Sequence, residues 1–216
     1  MSNYFNYFPK TVYTADSKNF DLVKNITSRF NFQKSFKENT AVSYEYEIQE
    51  SDTPEIIASK FYGDSEKHWI VLSFNDIVDP QFDWPMDYRT LNNFIDQKYS
   101  ANTYANTVNT SISGLSYAKN ANNTYAYYKT ETRTTVSTNT ISTRKIEIDA
   151  NTYANVASST STITIPGNNV ITIAISKEKQ TYYDHEIELN ELKRKIKLLK
   201  PEFVDSIDEE FKQVIA

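Results

Sequence analysis

The feature of this sequence that most constrains its fold is a change of amino-acid composition in the middle of the chain. From residue 101 to residue 176, Ser, Thr and Asn make up 36 of 76 residues, and only 8 are charged. The remaining apolar residues lie in alternating runs such as STITIPGNNVITIAI, a pattern typical of β-strands. Because Gly and Asn tolerate positive φ, the PGNN between these runs predicts a hairpin. We therefore predict that residues 101–176 are β-rich.

The hexapeptide ANTYAN occurs twice in this segment, at residues 101–106 and 150–155. It marks two equivalent turns or a short duplication, or it reflects drift within an Asn- and Thr-rich chain. Two copies are too few to indicate a solenoid.

The composition excludes several classes of function. The chain has no Cys and two His, His68 and His185, so we expect no disulfide, no metal and no other cofactor. Three Gly cannot supply a phosphate-binding loop. A net charge of −5 without a basic stripe predicts no nucleic-acid partner. Since the chain has no apolar run of ~20 residues and no secretory signal, we expect no membrane contact and synthesis in a cytoplasm.

The apolar content indicates a core that is small or divided. Hydrophobic residues make up 39% of the chain, and this share includes 16 Tyr. The many Tyr and Phe suit protein interfaces, where aromatic residues are enriched. They suit aromatic strands and ordinary packing equally well, so composition alone leaves both interpretations open.

Residues 41–100 carry the clearest local signals. VSYEYEIQ alternates like a half-buried strand. Thr53 can cap a helix that begins at Pro54 and ends at Gly63, and Asp64 or Ser65 can cap a second helix, HWIVLSF. The apolar positions of these two helices predict a set of core anchors: Ile56, Ile57, Phe61, Trp69, Leu72 and Phe74.

The two ends of the chain have apolar stripes without an evident core of their own. Residues 1–40 predict an aromatic arm and one helix from Asp21 to Phe30. Residues 187–199 fit either a hairpin, with Ile187 and Leu189 facing Ile196 and Leu198, or a helical seam; the hairpin is preferred. Pro201 then begins an amphipathic helix. The apolar residues of both ends predict a partner interface: Tyr4, Phe5, Tyr7, Phe8, Phe203, Ile207 and Phe211.

The sequence does not predict catalysis. The candidate groups are acidic residues near turns and one His: Asp76, Asp79, Asp83, Asp87 and His68. Acidic residues at turns are mostly solvated or capping, and nothing in their spacing makes two carboxylates face each other. We therefore predict that the protein is not an enzyme.

The block from Tyr44 to Met86 resembles the lysin motif (LysM), a βααβ module. The matching order is YEYEIQ, then ESDTPEIIASKFYGD, a second helix and NDI-x-DP, with Trp84–Pro85–Met86 leading to the last strand. In LysM modules that bind N-acetylglucosamine polymers, the groove lies between the two loops that flank the helix pair. The resemblance places that groove at these residues: Asp52, Thr53, Pro54, Asn75, Ile77, Asp79 and Pro80.

Over its whole length the chain resembles the baseplate wedge family, gene product fifty-three, of T-even-like contractile-tailed bacteriophages. The resemblance rests on YFPK, VKNITSRF, the run DTPEIIASKFYGDSEKHWIVLSFNDIVDPQFDWP and ELNELKRKIKLLKPEFV. It implies a structural virion protein that joins neighbouring wedges into a sixfold baseplate ring. It also implies a second partner, the lysozyme-like sheath-initiating wedge protein. The alternative is peptidoglycan binding through the LysM-like module.

These observations together predict an α+β fold with four parts. They are an N-terminal arm and helix (1–40), a LysM-like domain (41–100), a β-rich Ser/Thr/Asn insertion (101–176), and a C-terminal hairpin plus amphipathic helix (177–216). The family resemblance implies that the protein is assembled in the host bacterial cytoplasm and resides in the tail baseplate of the virion.

Overall fold

The computed structural model describes residues 4–28, 30–100, 112–165 and 169–215. The α+β class predicted from the sequence is confirmed. The chain forms two compact units, one made of Met1–Asp87 with Asn190–Ala216 and the other of Tyr88–Leu189. The strands are β1 (Lys10–Tyr13), β2 (Asp21–Lys24), β3 (Ser43–Glu47), β4 (Thr124–Thr135), β5 (Thr140–Ile148), β6 (Ser159–Ile165), β7 (Asn169–Thr181) and β8 (Lys195–Leu199). The helices are α1 (Lys34–Lys37), α2 (Pro54–Tyr62), α3 (His68–Phe74), α4 (Pro80–Asp83), α5 (Tyr88–Tyr99), α6 (Gly114–Lys119), α7 (Ala150–Asn155), α8 (Tyr182–Leu192) and α9 (Pro201–Ile215).

The first unit is built on a β3–β8 antiparallel pair, in register from Ser43 opposite Leu199 to Glu47 opposite Lys195. Helices α2 and α3 follow β3, so the element order is βααβ. The second strand, however, comes from Lys195–Leu199 and not from the residues after Met86, where the sequence analysis placed it. Along the sequence, the whole second unit is inserted between β3 and β8. A pairing over such a sequence separation leaves no local sequence signal.

Helix α2 has the boundaries that its local signals predict. The Thr53 side chain accepts a hydrogen bond from the backbone N–H of Ile56 at 3.3 Å, and Pro54 occupies the first turn. Gly63 ends the helix at φ 71°, in the left-handed region that favours glycine.

The predicted core anchors are only partly buried. Ile57, Trp69 and Phe74 lie in the core, and Leu72 packs against it. Ile56 and Phe61 are 41% and 36% exposed, so their prediction as core anchors is wrong. Helix α2 turns its Ile57–Ala58 side inward, which leaves Ile56 on the outer side, and Phe61 packs at the rim against the Tyr46 ring at 5.2 Å.

The N-terminal helix predicted from Asp21 to Phe30 is also wrong. Asp21–Lys24 is strand β2, which pairs antiparallel with β1 from Lys10 opposite Lys24 to Tyr13 opposite Asp21. The apolar spacing in this segment fits both periods, and pairing with β1 selects the extended one.

The second unit contains a four-stranded antiparallel sheet in the order β5-β4-β7-β6. Strands β6 and β7 are the two runs predicted to form a hairpin, and their pairing is confirmed; the Pro-Gly-Asn at 166–168 lies outside the described residues. The second ANTYAN copy forms α7, and the first copy, at 101–106, also lies outside them.

Helices α5 and α6 of this unit approach each other closely at Gly114. A Cβ at that position would lie 2.1 Å from the Asp96 carbonyl oxygen. Only glycine permits this contact.

The C-terminal hairpin preferred in the sequence analysis is wrong. Ile187 and Leu189 belong to α8, and Ile196 and Leu198 belong to β8, which pairs with β3 instead. The signal that specifies α8 is a reciprocal cap at its start. The Asp184 backbone N–H donates to Thr181 Oγ1 at 3.1 Å, and the Thr181 backbone N–H donates to Asp184 Oδ2 at 3.2 Å.

Candidate functional site

The N-terminal segment is anchored to the first unit at two points. Phe8 is 5% exposed and meets the Phe211 ring edge-on at 6.2 Å. Phe30 meets the rings of Trp69 and Phe211, each at 5.7 Å. The Asn25 backbone N–H also donates to the Pro9 carbonyl at 2.7 Å, which closes the neck of the β1–β2 hairpin. The hairpin is therefore held at its base.

The same packing overturns the predicted partner interface. Phe8, Ile207 and Phe211 are buried within the chain, so the prediction that they face a partner is wrong. Tyr7 and Phe203 are partly buried against the same cluster. The side chains of Tyr4 and Phe5 lie outside the described residues. Helix α9 covers its own apolar stripe by docking on Trp69 and the aromatic arm.

What the structure exposes instead is the hairpin itself. We call residues 10–26 the hairpin patch, because five large apolar side chains there are 58% to 69% exposed: Val12, Tyr13, Phe20, Leu22 and Ile26. Val12 lies opposite Leu22 on one face, and Tyr13 lies opposite Asp21 on the other. On both faces, therefore, the described residues of the chain leave large side chains mostly exposed. Isolated two-stranded ribbons are marginally stable in water, and clustered exposed apolar side chains mark interaction sites.

The turn of the hairpin patch has a fixed shape. The Asp16 carboxylate accepts hydrogen bonds from the backbone N–H groups of Asn19, at 2.8 Å, and Lys18, at 2.9 Å. These bonds lower the pKa of Asp16, with that from Asn19 the larger cause. Ser17 adopts φ 60°, which this turn requires. The backbone of the patch is thus organised by the chain's own contacts.

This surface is not predicted from the sequence, because the apolar spacing of the segment also fits a helix. The signal was present: Val12–Tyr13 and Leu22–Val23 are β-formers on either side of the turn sequence ADSKN.

The first loop of the predicted glycan groove is occupied by internal contacts. Asp52 is 5% exposed and accepts hydrogen bonds from Lys60 Nζ at 2.6 Å, the Tyr46 hydroxyl at 2.5 Å and the Gln49 backbone N–H at 3.1 Å. Burial opposes ionisation of Asp52, but the bonds from Lys60 and Tyr46 outweigh it and lower its pKa. Burial, together with the bond to Asp52, raises the pKa of Tyr46 to about 12. Thr53 caps α2, and Pro54 is buried.

The second loop is engaged in the same way. Asn75 Nδ2 donates to the carbonyls of Val71 and Lys197, and its Oδ1 accepts the Lys197 backbone N–H, each bond being 2.8 Å long. Asp79 caps α4 through the Gln81 backbone N–H at 3.0 Å. Pro80 begins α4, and Ile77 packs on the core. The best hydrogen-bonding side chains of the expected groove are therefore committed to holding the unit together.

The candidate catalytic groups are likewise in structural contacts. Asp76 pairs with Lys37 at 2.5 Å, and this hydrogen bond lowers the pKa of Asp76. His68 Nδ1 lies 3.0 Å from the Ser65 carbonyl oxygen. Asp83 accepts the backbone N–H of Asp79 at 3.0 Å. Within the described ranges, no group of His, Cys, Asp or Glu is arranged to hold a metal ion. None of the described helices is both long and apolar enough to cross a membrane.

Comparison with known proteins shows a family match. The family model described as base plate wedge protein 53 matches residues 3–133. The match covers the hairpin patch and both helices of the βααβ order, and it ends inside β4. Comparison with curated proteins found no significant match.

Proposed function

Since the chain belongs to the base plate wedge protein 53 family, we propose that it joins neighbouring wedges of a bacteriophage baseplate through its hairpin patch. Membership makes it a structural protein of the tail baseplate of the virion that contacts other baseplate components, and it indicates a non-enzymatic role. The finer proposals are the junction between wedges in a sixfold ring, the seating of the lysozyme-like sheath-initiating wedge protein, and assembly in the host cytoplasm.

The observation that carries this proposal is the hairpin patch. It lies inside the matched residues, it is anchored at its base, and each of its faces carries exposed apolar side chains. A joining subunit needs such a surface, because a partner must gain free energy from burying it. Complete burial of a large apolar side chain contributes about 1.5–3 kcal/mol. Because these five side chains are 58% to 69% exposed, burying what remains offers on the order of 5–10 kcal/mol in total. That is comparable to the cost of association.

The proposal is tested by charging one face of the patch. Leu22→Lys should leave the fold of the free protein unchanged, because the side chain at this position is exposed to water. In the assembled baseplate, it would place an unpaired charge in the proposed interface. Leu192→Lys is the matched control, because Leu192 is 65% exposed and Leu22 is 64% exposed. Both variants are supplied to a phage that lacks this chain, and finished baseplates are counted by negative-stain electron microscopy.

We expect Leu22→Lys to fold normally and to give few or no complete baseplates. Leu192→Lys should support assembly as the unchanged chain does. Normal assembly with Leu22→Lys would contradict the proposal. So would equal defects in the two variants, since a general effect of surface charge would then explain both.

A further inference from the structure

The sheet of the second unit has two unlike edges. Strand β6 is the last strand on one side among the described residues, and its seven residues, STSTITI, contain no charge, no Pro and no Gly. All seven are exposed. Strand β5, at the other edge, carries Arg144, Lys145 and Glu147. Charged residues or Pro protect natural edge strands from pairing with other chains, and β6 has neither.

The side chains of β6 continue two ordered faces of the sheet. On one face, Thr162 lies beside Thr172 of β7, which lies beside Thr134 of β4. On the other face, Ile163 lies beside Ile171 of β7. Both rows stop at β6, where alternate backbone N–H and C=O groups point away from β7.

We propose that β6 pairs antiparallel with β6 of a second copy of this chain, around a two-fold axis at Thr162. In that register Thr162 faces Thr162 of the second copy, and Thr160 faces its Thr164. Cross-strand Thr pairs are favourable, and no like charges meet across the axis. On the opposite face, Ser161 lies opposite Ile163 of the second copy. The two sheets then form one continuous sheet in which the Thr rows run on across the junction.

The composition of the two edges favours a second copy over a head-to-tail contact of β6 with β5. Strand β6 has no charged side chain to pair with Arg144, Lys145 or Glu147. Paired with itself, it meets an edge that is equally uncharged. Strand β6 also lies outside the residues matched to the family, so this contact goes beyond the proposed wedge function.

Cysteine cross-linking tests the register directly, because the chain has no cysteine of its own. Thr162→Cys places one thiol on the proposed axis, where opposed Cβ atoms are close enough for a disulfide. Thr143→Cys is the matched control, since Thr143 is also an exposed Thr on an edge strand. Under mild oxidation of the purified chain, Thr162→Cys should form disulfide-linked dimers, and Thr143→Cys should form no disulfide-linked dimer.

A charge exchange tests the same contact without a covalent bond. Thr162→Lys and Thr162→Glu should each sediment as a monomer near 25.0 kDa at concentrations where the unchanged chain is dimeric, and an equimolar mixture should recover the dimer. Thr143→Lys should dimerise as the unchanged chain does. Circular dichroism checks that each variant keeps its fold.

Three results would overturn the proposal. One is an unchanged chain that stays monomeric at every concentration. Another is equal cross-linking of Thr162→Cys and Thr143→Cys. The third is faster cross-linking in a mixture of these two variants than in Thr162→Cys alone, which would indicate a head-to-tail β6–β5 contact.

Discussion

At the scale of single residues, polar side chains in the expected sugar groove form hydrogen bonds that join elements of the first unit. Asp52 joins β3, its following turn and α2, because its partners are Tyr46, Gln49 and Lys60. Asn75 fastens α3 to β8 through both backbone groups of Lys197. When a buried polar group loses its hydrogen-bond partner, the lost free energy of folding exceeds the net contribution of the bond. The stability of the unit alone is therefore enough to explain these two side chains.

Replacing Asp52 should destabilise the first unit in a pH-dependent way. Asp52→Asn is expected to cost roughly 1–3 kcal/mol at neutral pH, because its amide cannot accept all the bonds that the carboxylate accepts. The pKa of Asp52 is lowered in the folded state, so its contribution is complete above the ordinary value of 3.8 and is lost as the pH falls through the lowered folded pKa. The stability gap between the two proteins should therefore narrow below pH 3.8.

Urea unfolding at a series of pH values measures this gap. Asp205→Asn serves as the control, because Asp205 is exposed and its replacement should leave the stability within about 0.5 kcal/mol. A constant gap between Asp52→Asn and the unchanged chain from neutral to acidic pH would contradict the assignment.

At the scale of elements, α9 and the aromatic arm complete one core. Phe211 is 1% exposed, and its ring centroid lies 4.5 Å from that of Trp69. Phe8 and Phe30 contact the same ring from the N-terminal segment. The last helix thus ties the base of the hairpin patch to α3.

Truncating Phe211 should remove this tie. Phe211→Ala is expected to lower the free energy of unfolding by about 3–5 kcal/mol, the usual cost of deleting a buried aromatic ring. Val214→Ala, on the exposed side of the same helix, should change it by less than about 0.5 kcal/mol. Denaturant titration of both variants separates loss of the core contact from loss of helix propensity, and similar small effects would contradict the packing.

Which elements the sequence could predict depended on how far apart their determinants lie. Thr53, Pro54 and Gly63 are local signals, and α2 has the bounds they predict. The β6–β7 hairpin was likewise predictable from adjacent residues. The β3–β8 pair joins distant parts of the chain, and no pattern in the sequence of either strand predicts which strand it pairs with. The hairpin patch was missed because Leu22, Val23 and Ile26 also fit a helical period until β1 is known to lie beside them.

At the scale of the whole molecule, the second unit is an insertion whose two ends are joined. The Met86 backbone N–H donates to Asn190 Oδ1 at 2.7 Å, and Asn190 Nδ2 donates to the Met86 carbonyl at 3.0 Å. Asn190 is 3% exposed, so this clasp is buried. Insertions are best tolerated where the chain leaves and returns at neighbouring points.

Excising the insertion should leave the first unit folded. We expect a chain in which a short Gly-Ser linker joins Asp87 to Asn190 to unfold cooperatively and to retain the β3–β8 pair and α9. In a chain ending at Leu189 the first unit should not fold, because it lacks β8 and α9. Circular dichroism with thermal unfolding distinguishes the two chains, and an excised variant without a cooperative transition would contradict the division into units.

The central claim is that the hairpin patch contacts a neighbouring baseplate subunit. The most direct measurement is photo-cross-linking in assembled tails, with a benzophenone amino acid placed at position 22 or, as the control, at position 192. We expect irradiation to join position 22 to another baseplate chain and to leave position 192 without a cross-linked partner. Cross-linking from position 192 with none from position 22 would contradict the claim.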